Sequence, residues 1–274
     1  MTNELTPQPQ AEQMADESMV RGLAAQAIAI WPQERLLFER YSVPSNGRIL
    51  DLACGTGEIT ERLAELFTDA ELVGIDLIEE HLELARERCQ SDAARIDFRV
   101  GDAFKLDLEA NSIDLSVCRH LLQAIPDPTL ILKELARVTR AGGTVHVLAE
   151  DYAMMHFHPV TVDTDDFWRR GPMVFAERTG TDLRSGRKLF TLMSELGWSD
   201  VKVDYVVVDT TRVPREVFAD IWIAWRDGYA DAIGAHTEVT AEEARAAFQT
   251  MIDAIQNPAG YGVWQVPIIS GKPQ

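Results

Sequence analysis

The sequence predicts an α/β chain built on a doubly wound, mostly parallel sheet of seven strands. Two observations carry that reading. Short apolar runs alternate with amphipathic stretches between Arg48 and Ala149, and the first run ends in a glycine turn, ILDLACGTGEIT over residues 49–60. Strands this apolar, separated by helical patterns, require parallel pairing with helices on both faces.

The elements follow in order. The Pro/Gln-rich start, Thr6 to Gln10, reads as a frayed tail. From Gln13 to Tyr41 the apolar spacing is helical, and Pro32 is expected to split it into two helices. Residues 1–45 are therefore expected to form a tail and a helical lid, ahead of a main domain over 46–274. The alternation then runs strand Arg48–Ala53, helix Glu58–Phe67, strand Glu71–Ile75, helix Ile78–Cys89 and strand Ile96–Val100. Strand Ile113–Cys118, helix Thr129–Thr139 and strand Thr144–Ala149 complete the first five strands. A loop-rich stretch from Glu150 to Leu183 precedes a helix over Ser185–Leu196 and a strand over Val201–Val208. Two helices, Pro214–Ala230 and Ala241–Gln256, come before a last strand at Gly262–Ile269. Residues 151–185 and 209–260 are the expected additions on the ligand side, where the carboxyl ends of the strands open.

Composition removes several classes of function. With 26 Lys and Arg against 44 Asp and Glu the net charge is −18, which repels a phosphate backbone and argues against nucleic acid as a partner. There is no apolar run of about 18 residues to span a membrane and no basic, apolar leader, so a cytoplasmic protein is expected, as monomer or homodimer. Cys54, Cys89 and Cys118 have neither paired spacing nor a nearby His at metal-ligand intervals, and no metal site is expected.

The glycine turn narrows the ligand. A dinucleotide-binding turn carries a third glycine, whereas Gly55-Thr-Gly57 is followed by Glu58, Ile59 and Thr60. Glu58 would also set a carboxylate where a diphosphate must sit. Three acids close consecutive strands: Asp51 is suited to an ammonium group, Asp76 to ribose hydroxyls and Asp102 to an adenine amino group. Such a set fits a cationic nucleoside amino acid.

These residues resemble the class I S-adenosylmethionine-dependent methyltransferases, in their ubiquinone/menaquinone-type small-molecule branch. The resemblance lies in ILDLACGTG, VGIDL, RVGDAFKLDLEANSIDLSVCRHLLQAIPDP and LKELARVTRAGGTVHV, covering about residues 46–150, with GRKLFTLMSELGWSDVKVDY further on. It implies a Rossmann-like methyltransferase fold and S-adenosyl-L-methionine as cofactor. Gly55 and Gly57 would then line the methionine part, Asp76 with Leu77 the ribose, and Asp102 with Ala103 the adenine. Asp51, Ala53 and Arg119 complete the cofactor set, and Arg119 and His120 would pass the sulfonium.

Methyl transfer is an in-line displacement, so alignment and exclusion of water matter most, with a base for a protonated acceptor. Glu150 to His158 gathers two acids, a tyrosine and two histidines. His156, Glu150 and His120 are the catalytic candidates, and Tyr152, Gln123, Trp222, Trp225 and Trp31 the candidates for holding a small, partly apolar acceptor. Methylation at oxygen, nitrogen or carbon stays open. The competing readings are a nicotinamide-dependent oxidoreductase, opposed by Glu58 and Thr60, and a non-catalytic S-adenosylmethionine-binding protein.

Overall fold

The computed structural model describes residues 17–274, so the tail and the first residues of the expected N-terminal helix lie outside the described residues. The described residues begin with the helix α1 (Glu17–Phe38), which continues through Pro32 where a break was expected. Tertiary anchoring on both sides of the proline offsets its missing N–H. Ile30 and Phe38 are fully buried, and the Gln33 side chain both donates to the carbonyl of Val207 (2.8 Å) and accepts from its N–H (3.1 Å).

The expected alternation follows: β1 (Arg48–Leu52), α2 (Glu58–Leu66), β2 (Glu71–Asp76), α3 (Glu79–Arg88), β3 (Ile96–Val100), β4 (Ile113–Arg119), α4 (Pro128–Val138) and β5 (Thr139–Leu148). Asp127 caps α4 by accepting from the Thr129 N–H, and Pro128 takes the first helical position, where its missing donor costs nothing. Between β1 and α2 the backbone turns through positive φ at Ala53, Gly55 and Gly57. At Gly57 (φ 76°) a Cβ would come within 2.9 Å of Ala85 Cβ, so only glycine lets α2 start this close to α3.

The stretch from Glu150 to Leu183, expected as loop, is more ordered. It contains β6 (Met155–His158), α5 (Thr164–Arg170) and α6 (Pro172–Thr179). Alternate burial of Met155 and Phe157 against exposed His156 and His158 is the strand period, but four residues were too few to stand out from loop composition. After α7 (Leu189–Glu195) come β7 (Ser199–Asp209), α8 (Arg215–His236), α9 (Ala241–Gln256) and β8 (Tyr261–Lys272). Thr240 and Glu243 form a capping box at the start of α9.

Among the described residues the sheet thus has eight strands where seven were expected, in the order β3-β2-β1-β4-β5-β8-β6, with β7 on the other edge of β8. The pairs among β1 to β5 are parallel, and β8 is antiparallel to β5, β6 and β7. One edge of β8 pairs with β5 through Ile268–Gly271 and with β6 through Tyr261–Trp264. This brings β6 and the helices beyond it to one end of the sheet.

A large apolar cluster joins α1, α8, α9 and the short helices α5 and α6 to the tips of β6 and β8. Trp222 lies at its centre with no solvent exposure, its ring 5.2 Å from Phe157, 5.0 Å from Phe218 and 4.7 Å from Trp225. Its indole N–H donates to Met251 Sδ at 3.4 Å. Trp222 is therefore core, which corrects its expected role against the acceptor; only its neighbour Trp225 reaches a cavity. Trp31 is corrected likewise, for it packs on Phe38 (5.6 Å) and lines neither cavity described below. Trp222→Ala should cost about 3–5 kcal/mol of unfolding free energy in a denaturant titration, as expected for removing a fully buried large aromatic.

Candidate active site

Where β1, β2 and β4 end, the chain opens a cleft of about 1050 Å³, solvent at its mouth included, and α1 closes it with Leu23 and Gln26. The β1–α2 turn supplies Ala53, Cys54, Gly55 and Thr56 to its wall. Asp51 stands at the base, buried, with one carboxylate oxygen accepting from Thr60 Oγ1 at 2.6 Å. Burial raises its pKa to about 6, more than the hydrogen bond from Thr60 and the nearby Arg119 lower it. Thr60 occupies the position of the missing third glycine, and its hydroxyl is spent on Asp51.

Asp76 lines the cleft and holds the turn in shape. Its Oδ2 accepts from the Gly55 N–H (2.8 Å) and its Oδ1 from the Ile78 N–H (3.0 Å), each oxygen keeping further acceptor capacity. Leu77, Gly101 and Ala103 continue the wall. Asp102 departs from expectation: it is exposed, caps its own turn through the Phe104 N–H (2.9 Å) and does not line the cleft, while both of its neighbours do. The turn between Asp102 and Lys105 points the carboxylate outward. Glu58 also changes meaning. It lines the cleft but is ion-paired with Arg62 and Arg88, so its charge is compensated and does not itself bar a diphosphate.

Arg119, the last residue of β4, is buried, and its Nε donates to Glu34 Oε1 of α1 at 2.9 Å. The same Glu34 oxygen lies 3.0 Å from His146 Nε2, and His146 Nδ1 lies 2.9 Å from the Tyr41 hydroxyl. Burial alone would raise the Glu34 pKa, but Arg119 and His146 outweigh it and hold the carboxyl below its ordinary value. Arg119 Nη2, Thr56 Oγ1 and His81 Nε2 are buried side-chain atoms of the cleft residues without a protein partner. A polar ligand would satisfy them.

His120 follows Arg119 with a positive φ of 56° and belongs to two cavities at once. Its Nδ1 makes a short hydrogen bond with Glu150 Oε1, and its Nε2 is buried with no partner. The second cavity, about 700 Å³, meets the cleft at Leu23, Gln26, His120 and Ala124. Its polar end carries Glu150, Gln123 and Gln26, and its walls are Tyr152, Trp168, Phe175, Trp225, Tyr229 and Phe248 among others. Tyr152 stacks on Trp168 (5.3 Å) and lies 5.2 Å from Trp225. Gln123 donates from Nε2 to the carbonyl of His120 at 2.7 Å, which leaves its Oε1 buried and unpartnered.

His156 does not reach this centre. It and His158 sit exposed on β6, paired across to Val263 and Tyr261, and line neither cavity. The two-residue period of β6 turns both histidines away from the buried face that carries Phe157. Asp151 is buried against Arg187, so Glu150, Asp151 and His156 do not converge on a cation, and among the described residues no group of three or more His, Cys, Asp or Glu could hold a metal ion. Sequence reasoning missed Glu34, Gln26 and His81. The available signal was a polar residue within an apolar helical stretch, which Gln26 shows in α1, whereas Glu34 stands between Gln33 and Arg35 and carries no such signal.

Residues 44–169 match the model of a family described as "Methyltransferase domain". This stretch is a methyltransferase domain. The resemblance carried by the motifs at residues 49–57 and 73–77 is thereby borne out. The domain is 35% identical over 101 residues to the ubiquinone biosynthesis O-methyltransferase of Xanthomonas axonopodis pv. citri, covering 36% of this chain and 41% of that protein. The chain thus matches about two fifths of the length of that relative. Among solved structures, phosphoethanolamine N-methyltransferase 2 of Haemonchus contortus, in complex with S-adenosyl-L-methionine, superposes with a TM-score of 0.59 at 19% identity, over 96% of this chain and 60% of that one. The 4+2 cyclase SpnF superposes at 0.58 and 19% identity, over 97% of both chains. These structures share the fold over nearly the whole of this chain.

Glu34→Ala would leave Arg119 and His146 buried without their shared carboxylate, an expected loss of about 3–5 kcal/mol in unfolding free energy. Because the folded pKa of Glu34 lies below the ordinary 4.5, its stabilisation is present above pH 4.5 and lost as pH falls through the folded value. The stability gap between wild type and Glu34→Gln, followed by denaturant unfolding, should therefore shrink below pH 4.5.

Proposed function

We propose that the chain is an S-adenosylmethionine-dependent methyltransferase that holds its cofactor in the cleft and a small, partly apolar acceptor in the aromatic chamber. The observation that carries this reading is His120. It stands at the junction of the two cavities with Nε2 buried and unpartnered, and Glu150 fixes its other nitrogen. When bound, S-adenosylmethionine supplies a methyl group on a sulfonium.

The cleft fits that molecule at both ends. Asp51 takes the ammonium group, whose charge returns the buried carboxylate to its ionised form, and the unpartnered Arg119 Nη2 takes the carboxylate. Asp76 takes the ribose hydroxyls with its remaining acceptor capacity, and Leu77, Gly101 and Ala103 flank the adenine. His120 Nε2 removes the acceptor's proton. Glu150 accepts from Nδ1–H, sets the tautomer that exposes Nε2 as a base, and stabilises the imidazolium. α1, α8 and residues 151–185 form the lid over the main domain, with Leu23 and Gln26 closing both cavities. The charge of −18 and the absence of any described helix long and apolar enough to cross a membrane support a small-molecule acceptor met in the cytoplasm.

Asp51 gives this reading a pH signature. With its folded pKa raised to about 6 from 3.8, its own contribution to stability falls as pH rises through that window, and the carboxylate is complete only above pH 6. Affinity for S-adenosylhomocysteine, measured by calorimetry, should drop below pH 6 by up to about tenfold per unit, and Asp51→Asn should flatten the profile. His120→Ala should lower turnover by about 10²–10⁴ while keeping that affinity, whereas His156→Ala should leave both unchanged. Full activity in His120→Ala would remove the base from the mechanism.

A further inference from the structure

Granted the methyl-transfer reading, the chamber's charge pattern narrows the acceptor. Its polar end presents three atoms that are buried and unpartnered: Glu150 Oε2, Gln123 Oε1 and His120 Nε2. Gln123 and Glu150 are 6% and 1% exposed, so solvent does not satisfy them. With Nδ1–H given to Glu150, all three are hydrogen-bond acceptors. One donor, Trp168 Nε1, is buried and unpartnered on the wall.

No Lys or Arg is among the chamber's described lining residues. Arg119 lines the other cavity, where it is paired with Glu34, and Arg187 is paired with Asp151. The first 16 residues of the chain contain no Lys or Arg either. A phosphate or carboxylate would thus be buried beside the Glu150 carboxylate with no counter-charge, which desolvation and like-charge repulsion both oppose. A ligand without an X–H group would leave three buried acceptors unpaired, the situation that most sharply penalises the wrong ligand.

We infer that the acceptor carries no anionic group and presents a hydroxyl or amine hydrogen to Gln123, Glu150 and His120 on a flat apolar body held between Trp168, Phe175 and Trp225. Hydroxyl and amine share this donor chemistry. The test is calorimetry of the full chain, with and without S-adenosylhomocysteine, against four probes sharing one apolar body: 4-butylphenol, 4-butylaniline, 4-butylbenzoate and 4-butylphenyl phosphate. The phenol and the aniline should bind at least about tenfold more tightly than the two anions, and their ratio tells oxygen from nitrogen. Glu150→Gln should narrow the gap between donor and anionic probes, and Leu183→Arg, which places a cation in the wall, should raise affinity for the phosphate probe about tenfold. Equal or tighter binding of the anions by the wild type, binding of none of the probes, or an unchanged gap in both variants would overturn the inference. Failure of S-adenosylhomocysteine to bind while the phenol still binds would overturn the methyl-transfer reading alone.

Discussion

The buried carboxylate of Glu34 is the constraint on which the site depends. It lies between Arg119 at the end of β4 and His146 in β5, and so ties α1 to the two strands that carry the centre of the site. Such a pair contributes through what its absence would leave exposed to a dry interior, two uncompensated donors. Arg119 is followed directly by His120, whose N–H donates to the carbonyl of Leu148 at 3.0 Å, two residues before Glu150. Docking α1, orienting Arg119 and setting the His120 and Glu150 pair are therefore one structural event.

A second consequence is the division of labour between two cavities that share a wall. The cleft is built from strand ends and one glycine turn, with charged groups of both signs, Asp51, Asp76 and Arg119. The chamber is built from helices that come from distant parts of the chain, and it is aromatic with a polar end whose buried, unpartnered atoms are acceptors on Glu150, Gln123 and His120. A methyl donor of mixed charge and an uncharged acceptor call for these two environments. The match to a methyltransferase domain covers the cleft apart from Leu23 and Gln26, while about half of the chamber's lining, Pro172, Phe175, Leu183, Trp225, Tyr229, Ile233 and Phe248, lies beyond residue 169.

Legibility follows the same division. The first five strands and the turn at 53–57 were readable because local rules set them: apolar runs, helical periods and glycines where φ is positive. Asp51, Asp76, Arg119, His120, Glu150, Gln123, Tyr152 and Trp225 all line a cavity. Asp102 and His156 do not, since one turn and one strand period decide which way each side chain points. The single helix through Pro32 was unreadable because what overrides the proline is Gln33 meeting Val207, 174 residues away.

By itself, then, the sequence determined the first five strands and the glycine turn and pointed to the class of methyl donor, because each depends on residues close together along the chain. Only the tertiary structure decided which histidine stands at the junction, which tryptophan is core and which is wall, and which carboxylates are already paired. Those outcomes depend on burial and partners supplied from across the fold. A side chain's neighbours along the chain do not reveal whether it ends in contact with a buried acid or with solvent.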